Sequence, residues 1–152
     1  MQIARVKFIH PAAKLPAKMS DGSAGYDLYS VEDMEVPPSR CTSDSGVEIG
    51  RALVPTGIVL ELLPGTVGRV GSRSGMSVKA NIEAGAGWID SDYRGELKVE
   101  LKNMGSEAYI INRGDRIAQL IILPLASITI EAATEVNHTD RNSSGFGSTG
   151  LT

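Results

Sequence analysis

Apolar residues in this chain alternate in short runs, and nowhere do they hold one helical face for as much as three turns. A period of two is therefore the organising signal, and it points to strands. In the run from Trp88 to Leu101, Ile89, Tyr93, Leu97, Val99 and Leu101 share one parity. Asp90, Asp92, Arg94, Glu96, Lys98 and Glu100 share the other. Taken by itself, that stretch reads as a half-buried strand with a wet, charged face. Further extended segments are expected in QIARVKFI, MEV, RALVPTGIVLEL, TVGRV, AYII, AQLIIL and SITIEAA, each bounded by Gly, Pro, Asn or Asp. At most one short helix is expected, around Ser74 to Ala80. Many short strands joined by turns predict an all-β fold, a sandwich or a jelly-roll-like barrel.

With 152 residues, 41% of them hydrophobic, the chain can build the core of one domain. Its 15 Lys and Arg against 18 Asp and Glu give a net charge of -3, which leaves no basic footprint for duplex nucleic acid or an anionic membrane. An anionic ligand would have to be held by individually placed donors. Cys41 is the only cysteine, so an intrachain disulfide is excluded and no zinc framework is visible. His10 and His138 are the only histidines, which argues against a Ser-His-Asp system or a multi-histidine metal site. No run approaches the roughly 18 apolar residues of a membrane helix. The expectation is a soluble intracellular protein of cytoplasm or nucleus, with neither membrane nor nucleic acid as partner.

Several stretches pair backbone freedom with polar groups. In DGSAGYDLYS, Asp27 opens a strand after two glycines and by itself reads as a turn or edge residue. In GRVGSRSGMS, Arg73, Ser74 and Gly75 offer a planar cation, a hydroxyl and close backbone approach. That combination suits phosphate oxygens, although the same letters make an ordinary turn before a helix. Gln119 is the one amide in the strand GDRIAQLII and needs a partner if buried, for which a neighbouring backbone group would serve. Pro37 to Gly50 is polar and turn-rich, as expected of an exposed excursion. The tail NHTDRNSSGFGSTGLT has the composition of a flexible segment, yet carries Arg141 and Phe146 and could close as a lid or anion-binding nest. No P-loop or G-x-G-x-x-G follows a suitable strand. Carboxylates, Arg, Ser, Gln and glycines fit Mg-assisted handling of a polyphosphate.

In this order, AGYDL, GRVGSRSGMS, GAGWIDSDYRGEL, GDRIAQLI and RNSSGFGSTG resemble the five sequence motifs of the homotrimeric dUTPases, from Ala24 to Gly150. The resemblance implies a β-jelly-roll homotrimer, with residues 1–136 as the catalytic barrel and 137–152 as an arm that closes over a neighbouring subunit's site. It implies hydrolysis of dUTP to dUMP and pyrophosphate with Mg2+, which limits uracil in DNA and supplies dUMP for dTMP synthesis. Asp90 would orient and deprotonate the water that attacks the α-phosphate. Tyr93 would pack under the deoxyribose, and a hairpin from Gly85 to Ile89, including Gly87, would read uracil through its backbone. Asp27 would hold Mg2+ through coordinated water. Arg73, Ser74, Gly75 and Gln119 would hold phosphate oxygens, Arg141 the γ-phosphate, and Phe146 would stack on uracil beside Gly147 and Ser148. Lys98 stands where some relatives contact nucleotide, and equally suits the wet face.

Departures from the family pattern are Gly71-Ser72 in place of Ala-Pro, which predicts a less rigid loop, Trp88 in place of a smaller aliphatic, and Asn142 and Ser144 in place of glycines. The Ser39 to Ile49 region is also longer than in compact relatives. Two rival readings share the fold: a dCTP deaminase, and a catalytically silent β-trimer that binds nucleotide or protein as a regulator. The aliphatic-Asp-x-Asp-Tyr pattern and the GFGSTG tail favour the dUTPase.

Overall fold

A computed structural model of the chain describes residues 3–44, 46–139 and 142. Twelve strands and one helix are assigned among them, and every strand pairing is antiparallel. One four-stranded sheet runs in the order β1 (Arg5–Phe8), β6 (Gly50–Glu61), β10 (Glu96–Asn103), β8 (Ile82–Gly85). A second runs β2 (Tyr26–Tyr29), β12 (Arg116–Pro124), β7 (Thr66–Gly71), β9 (Trp88–Ile89). Two small ribbons, β3 (Met34–Val36) with β11 (Tyr109–Ile111) and β4 (Arg40–Cys41) with β5 (Val47–Glu48), complete the pairing. The all-β expectation holds, and the single helix α1 occupies Ser74–Ala80 as anticipated.

Alternation explains how the two large sheets close on one core. β10 buries Leu97, Val99, Leu101 and Asn103 on one face, while Lys98 on the other is exposed. Opposite it, β6 contributes Val54, Ile58 and Leu60. From the second sheet come Leu28, Val70, Ile89 and Leu120, all in the same cluster. Asn103 is tolerated there because its amide donates to the carbonyls of Val36 (3.1 Å) and Glu107 (2.8 Å) and accepts from Gly105 N–H (2.9 Å).

Four sequence expectations need correction. The run from Trp88 to Leu101 is two strands, β9 and β10, in different sheets, because Asp90 to Gly95 turn the chain between them. Gly85 to Ile89 is no hairpin either, because its two ends join different sheets: Gly85 pairs with Glu100 of β10, whereas Trp88 and Ile89 pair with Arg69 and Gly68 of β7. Ser127 to Ala133 forms no strand, since none of the described residues pairs with it, and Ile128 and Ile130 are exposed. Glu96 and Glu100 are not merely solvated: Glu96 accepts Gly57 N–H at 2.9 Å and pairs with Lys98 at 3.6 Å, and Glu100 lies 3.9 Å from both Arg51 and Lys102. The polar excursion is the exposed β4–β5 hairpin, closed by Arg40 and Glu48 at 2.7 Å. Among the described residues, no helix is long and apolar enough to cross a membrane.

Candidate active site

Register brings three distant residues into one row. Asp27 on β2 lies opposite Gln119 on β12, which lies opposite Gly71 at the end of β7. Asp27 is buried, and both its oxygens meet cations: Oδ1 lies 3.4 Å from Arg73 Nε, and Oδ2 lies 3.1 Å from Arg116 Nη1. Arg73 Nη1 also donates to the Arg116 carbonyl at 2.8 Å, so the two guanidinium side chains and the carboxylate form one charge-assisted cluster. Gln119 finds its partner in the backbone, with Nε2 donating to the Ser72 carbonyl at 2.9 Å. It lies against Gly25, where a Cβ would come within 2.8 Å of its Oε1.

Beyond Gly71 the chain passes through Ser72 and Arg73 into α1. Arg73 is the N-cap of this helix, in extended backbone and with no side-chain bond capping the helix itself, and Ser74 and Gly75 are exposed. A Cβ at Gly75 would meet nothing within 4 Å, so packing within this chain does not require glycine there. Ser72 is tied down. Its hydroxyl donates to Glu83 Oε2 and accepts Ala84 N–H at 2.8 Å, which supplies restraint where the absence of proline predicted a less rigid loop. Ser77 donates to the other oxygen of Glu83. The hydrogen bonds from Ser72 first, and then Ser77, hold the Glu83 carboxyl below the usual carboxylate range.

A separate open cleft of about 540 Å³ is lined by Ala86, Trp88, Ile89, Asp90, Tyr93 and Lys98, among others. Asp90 is exposed at its rim, directly after β9, and its carbonyl accepts Tyr93 N–H at 3.2 Å. The Tyr93 hydroxyl donates to the Glu96 carbonyl at 3.2 Å, and its ring lies so close over Gly95 that any Cβ there would overlap it. Gly87 is small for a packing reason. Its carbonyl accepts Val70 N–H at 2.7 Å, and a Cβ would collide with the Val70 carbonyl oxygen. Ala86 takes a left-handed φ of 45°, which is unfavourable for a residue with a side chain. Trp88 faces outward, with the Arg69 guanidinium 5.0 Å from its ring centre.

The fold thus gathers the sequence candidates into two groups. Asp27, Arg73 and Gln119 belong to the row on the second sheet, while Gly87, Ile89, Asp90, Tyr93 and Lys98 surround or support the cleft. Ser74 and Gly75 stand exposed at the helix start and do not line the cleft. Arg73 borders a smaller cavity of about 250 Å³ together with Arg116 and Met76. Arg141, Phe146, Gly147 and Ser148 lie outside the described residues. Sequence reasoning missed Arg116, although it stands inside GDRIAQLI, and also missed Ser72 and Glu83, whose side chains meet only once α1 has folded between them. Among the described residues, no group of three or more His, Cys, Asp or Glu forms a cage for a metal ion.

The dUTPase family pattern matches residues 12–150. Curated relatives named deoxyuridine 5'-triphosphate nucleotidohydrolase include one from Paramecium bursaria Chlorella virus 1, 44% identical over 96% of each chain. Another, from fowl adenovirus A serotype 1, is 43% identical over 94% of this chain and 75% of its own. Among solved structures, the dUTPase of Staphylococcus bacteriophage 80alpha with dUPNHPP superposes with a TM-score of 0.86, at 27% identity, over 99% of this chain and all of the phage chain. A mutant dUTPase from phage phi11 of S. aureus, whose description names a structural Mg(II) ion, superposes at 0.77 with 25% identity, over 88% of this chain and 98% of its own. With motif order, fold and family pattern in agreement over nearly its whole length, the chain belongs to the dUTPase family.

Proposed function

We propose that the chain hydrolyses dUTP to dUMP and pyrophosphate, as a homotrimer and with Mg2+. The observation that carries this reading is the cleft in which Asp90, at the end of a two-residue strand, stands beside Tyr93 and Lys98. Asp90 is the general base: its carboxylate takes a proton from the water that attacks the α-phosphate, a role typically worth about 10²–10⁴-fold in rate. Tyr93, held over Gly95, fits beneath a deoxyribose and leaves no room for a 2'-hydroxyl. Backbone groups of Gly87 and Ile89 present themselves to uracil, and Lys98, tethered by Glu96, reaches the nucleotide from the cleft wall.

Phosphate oxygens are held by Arg73, Ser74, Gly75 and Gln119. These residues stand apart from the cleft within one chain, which supports a site completed between subunits. The arm adds Arg141, Phe146, Gly147 and Ser148. Asp27 suits a hydrated Mg2+ that arrives with the phosphates, because it is a lone carboxylate and Mg2+ commonly keeps several waters beside one or two carboxylates and substrate phosphate. When bound, the ion neutralises phosphate charge.

The deciding measurement is Mg-dependent pyrophosphate release from dUTP, with UTP, dTTP and dCTP run in parallel. Release from dUTP alone is expected. Dominant ammonia release from dCTP would turn the reading to a deaminase, and dUTP binding without hydrolysis would turn it to a regulator. A finer prediction concerns Tyr93. Gly95→Ala forces the ring off its seat, so the preference for dUTP over UTP, taken as the ratio of kcat/KM values, should fall at least about tenfold. An unchanged ratio would remove Tyr93 from sugar selection.

A further inference from the structure

Glu83 is not used by the reaction just described, yet it stands at the centre of a bonded polar group beside the phosphate-holding loop. Its two carboxylate oxygens accept one hydroxyl from before α1 and one from within it: Ser72 donates to Oε2 and Ser77 donates to Oε1. Glu83 itself comes after the helix, on β8. The loop, the helix and the following strand are therefore stitched together at one carboxylate. Ser72 closes the stitch further, because its hydroxyl accepts Ala84 N–H at 2.8 Å and its carbonyl accepts Gln119 Nε2 at 2.9 Å.

No basic side chain among the described residues lies within ion-pair distance of Glu83. Two hydroxyl donors stabilise its charged form instead, which keeps the carboxyl below its ordinary range. The segment it holds has little apolar anchorage. Ser74 and Gly75 are exposed, and Met76 is the only buried residue of the helix. A turn with so little packing takes its position from directional bonds: the Arg73 side chain is held by Asp27 and the Arg116 carbonyl, and the hydroxyls of Ser72 and Ser77 on either side of the loop converge on Glu83.

We propose that Glu83 is a positioning residue for the triphosphate, fixing the Arg73-Ser74-Gly75 loop through Ser72 and Ser77 without itself touching substrate. The proposal rests on the assignment of that loop to phosphate binding. Loss of the carboxylate charge frees one or both hydroxyls, lets Ser72 rotate away from Ala84 N–H, and blurs the positions of the three residues that follow. The penalty should grow with the number of phosphates in the ligand.

The test uses the full-length protein and compares Glu83→Gln with the unaltered chain in the binding of dUMP and of dUPNHPP, alongside kcat and KM for dUTP. Affinity for dUPNHPP should fall at least tenfold while affinity for dUMP stays within twofold. Ser72→Ala should reproduce part of the loss, and the double variant should lose less than the sum of the two. If Glu83→Gln fails to fold, Ser77→Ala, which removes one donor and leaves the carboxylate, should show a smaller loss confined to dUPNHPP. Unchanged dUPNHPP affinity in the folded variants would overturn the proposal. So would an equal loss for dUMP and dUPNHPP, which marks a merely structural clamp. If the unaltered chain neither binds dUPNHPP nor releases pyrophosphate from dUTP, the dUTPase reading itself fails and the phosphate role of Glu83 falls with it.

Discussion

Replacing Asp90 with Asn should lower pyrophosphate release from dUTP by at least about 100-fold while leaving dUPNHPP binding nearly intact. The amide keeps the size and most of the hydrogen bonding of the carboxylate but cannot take the proton of the attacking water. Among the described residues no ion pair engages its carboxylate: Asp90 is exposed, and its contact with Tyr93 is made by the backbone carbonyl. Single-turnover pyrophosphate release and equilibrium binding of dUPNHPP separate the two effects. Turnover near the unaltered level would remove Asp90 as the base. Equal losses in both measurements would instead give it a binding role.

Gly87→Ala is expected to be comparably severe, although residue 87 contributes no side chain to the site. β9 is only two residues long and is held to β7 through Gly68 opposite Ile89 and Arg69 opposite Trp88, extended by the bond from Val70 N–H to the Gly87 carbonyl. A methyl group at position 87 collides with the Val70 carbonyl oxygen. This is main chain in a central part of the sheet, so β9 must give way, and Asp90 follows it directly. A displacement of about 1 Å can cost about 100-fold in turnover. Thermal unfolding should change far less than the rate, because only a short edge pairing is lost. Normal turnover would show that β9 absorbs the methyl group and that Asp90 is positioned by other means.

Most strands were legible because their burial is one-sided. β10 carries the alternation directly, β12 is a continuous apolar run around Gln119, and α1 appears at the residues expected for it. Parity failed between Ile89 and Leu97 because a turn of the right length preserves it. Tyr93 keeps the phase of a core residue yet is exposed, its ring resting on Gly95. Ser127 to Ala133 failed for the opposite reason: a strand needs a partner as well as a pattern, and none is present among the described residues.

The site was legible in composition and not in arrangement. Asp27, Gly71 and Gln119 become neighbours only through register, which no local pattern encodes. Arg116 was overlooked because a cation at the start of a strand resembles any solvated charge. Glu83 was overlooked because an acidic residue after Asn81-Ile82 reads as an ordinary outward-facing position.

The pairing of one buried carboxylate with two guanidinium groups leaves the Asp27 cluster with one unit of net positive charge. Such a cluster repels a free divalent ion and attracts a polyphosphate, so it sorts ligands by sign before any contact is made. On the proposed reading, the cation gains entry only under the cover of the nucleotide's own negative charge. The nucleotide then serves as the carrier of its cofactor, and the order of arrival is written in the charge balance of three side chains.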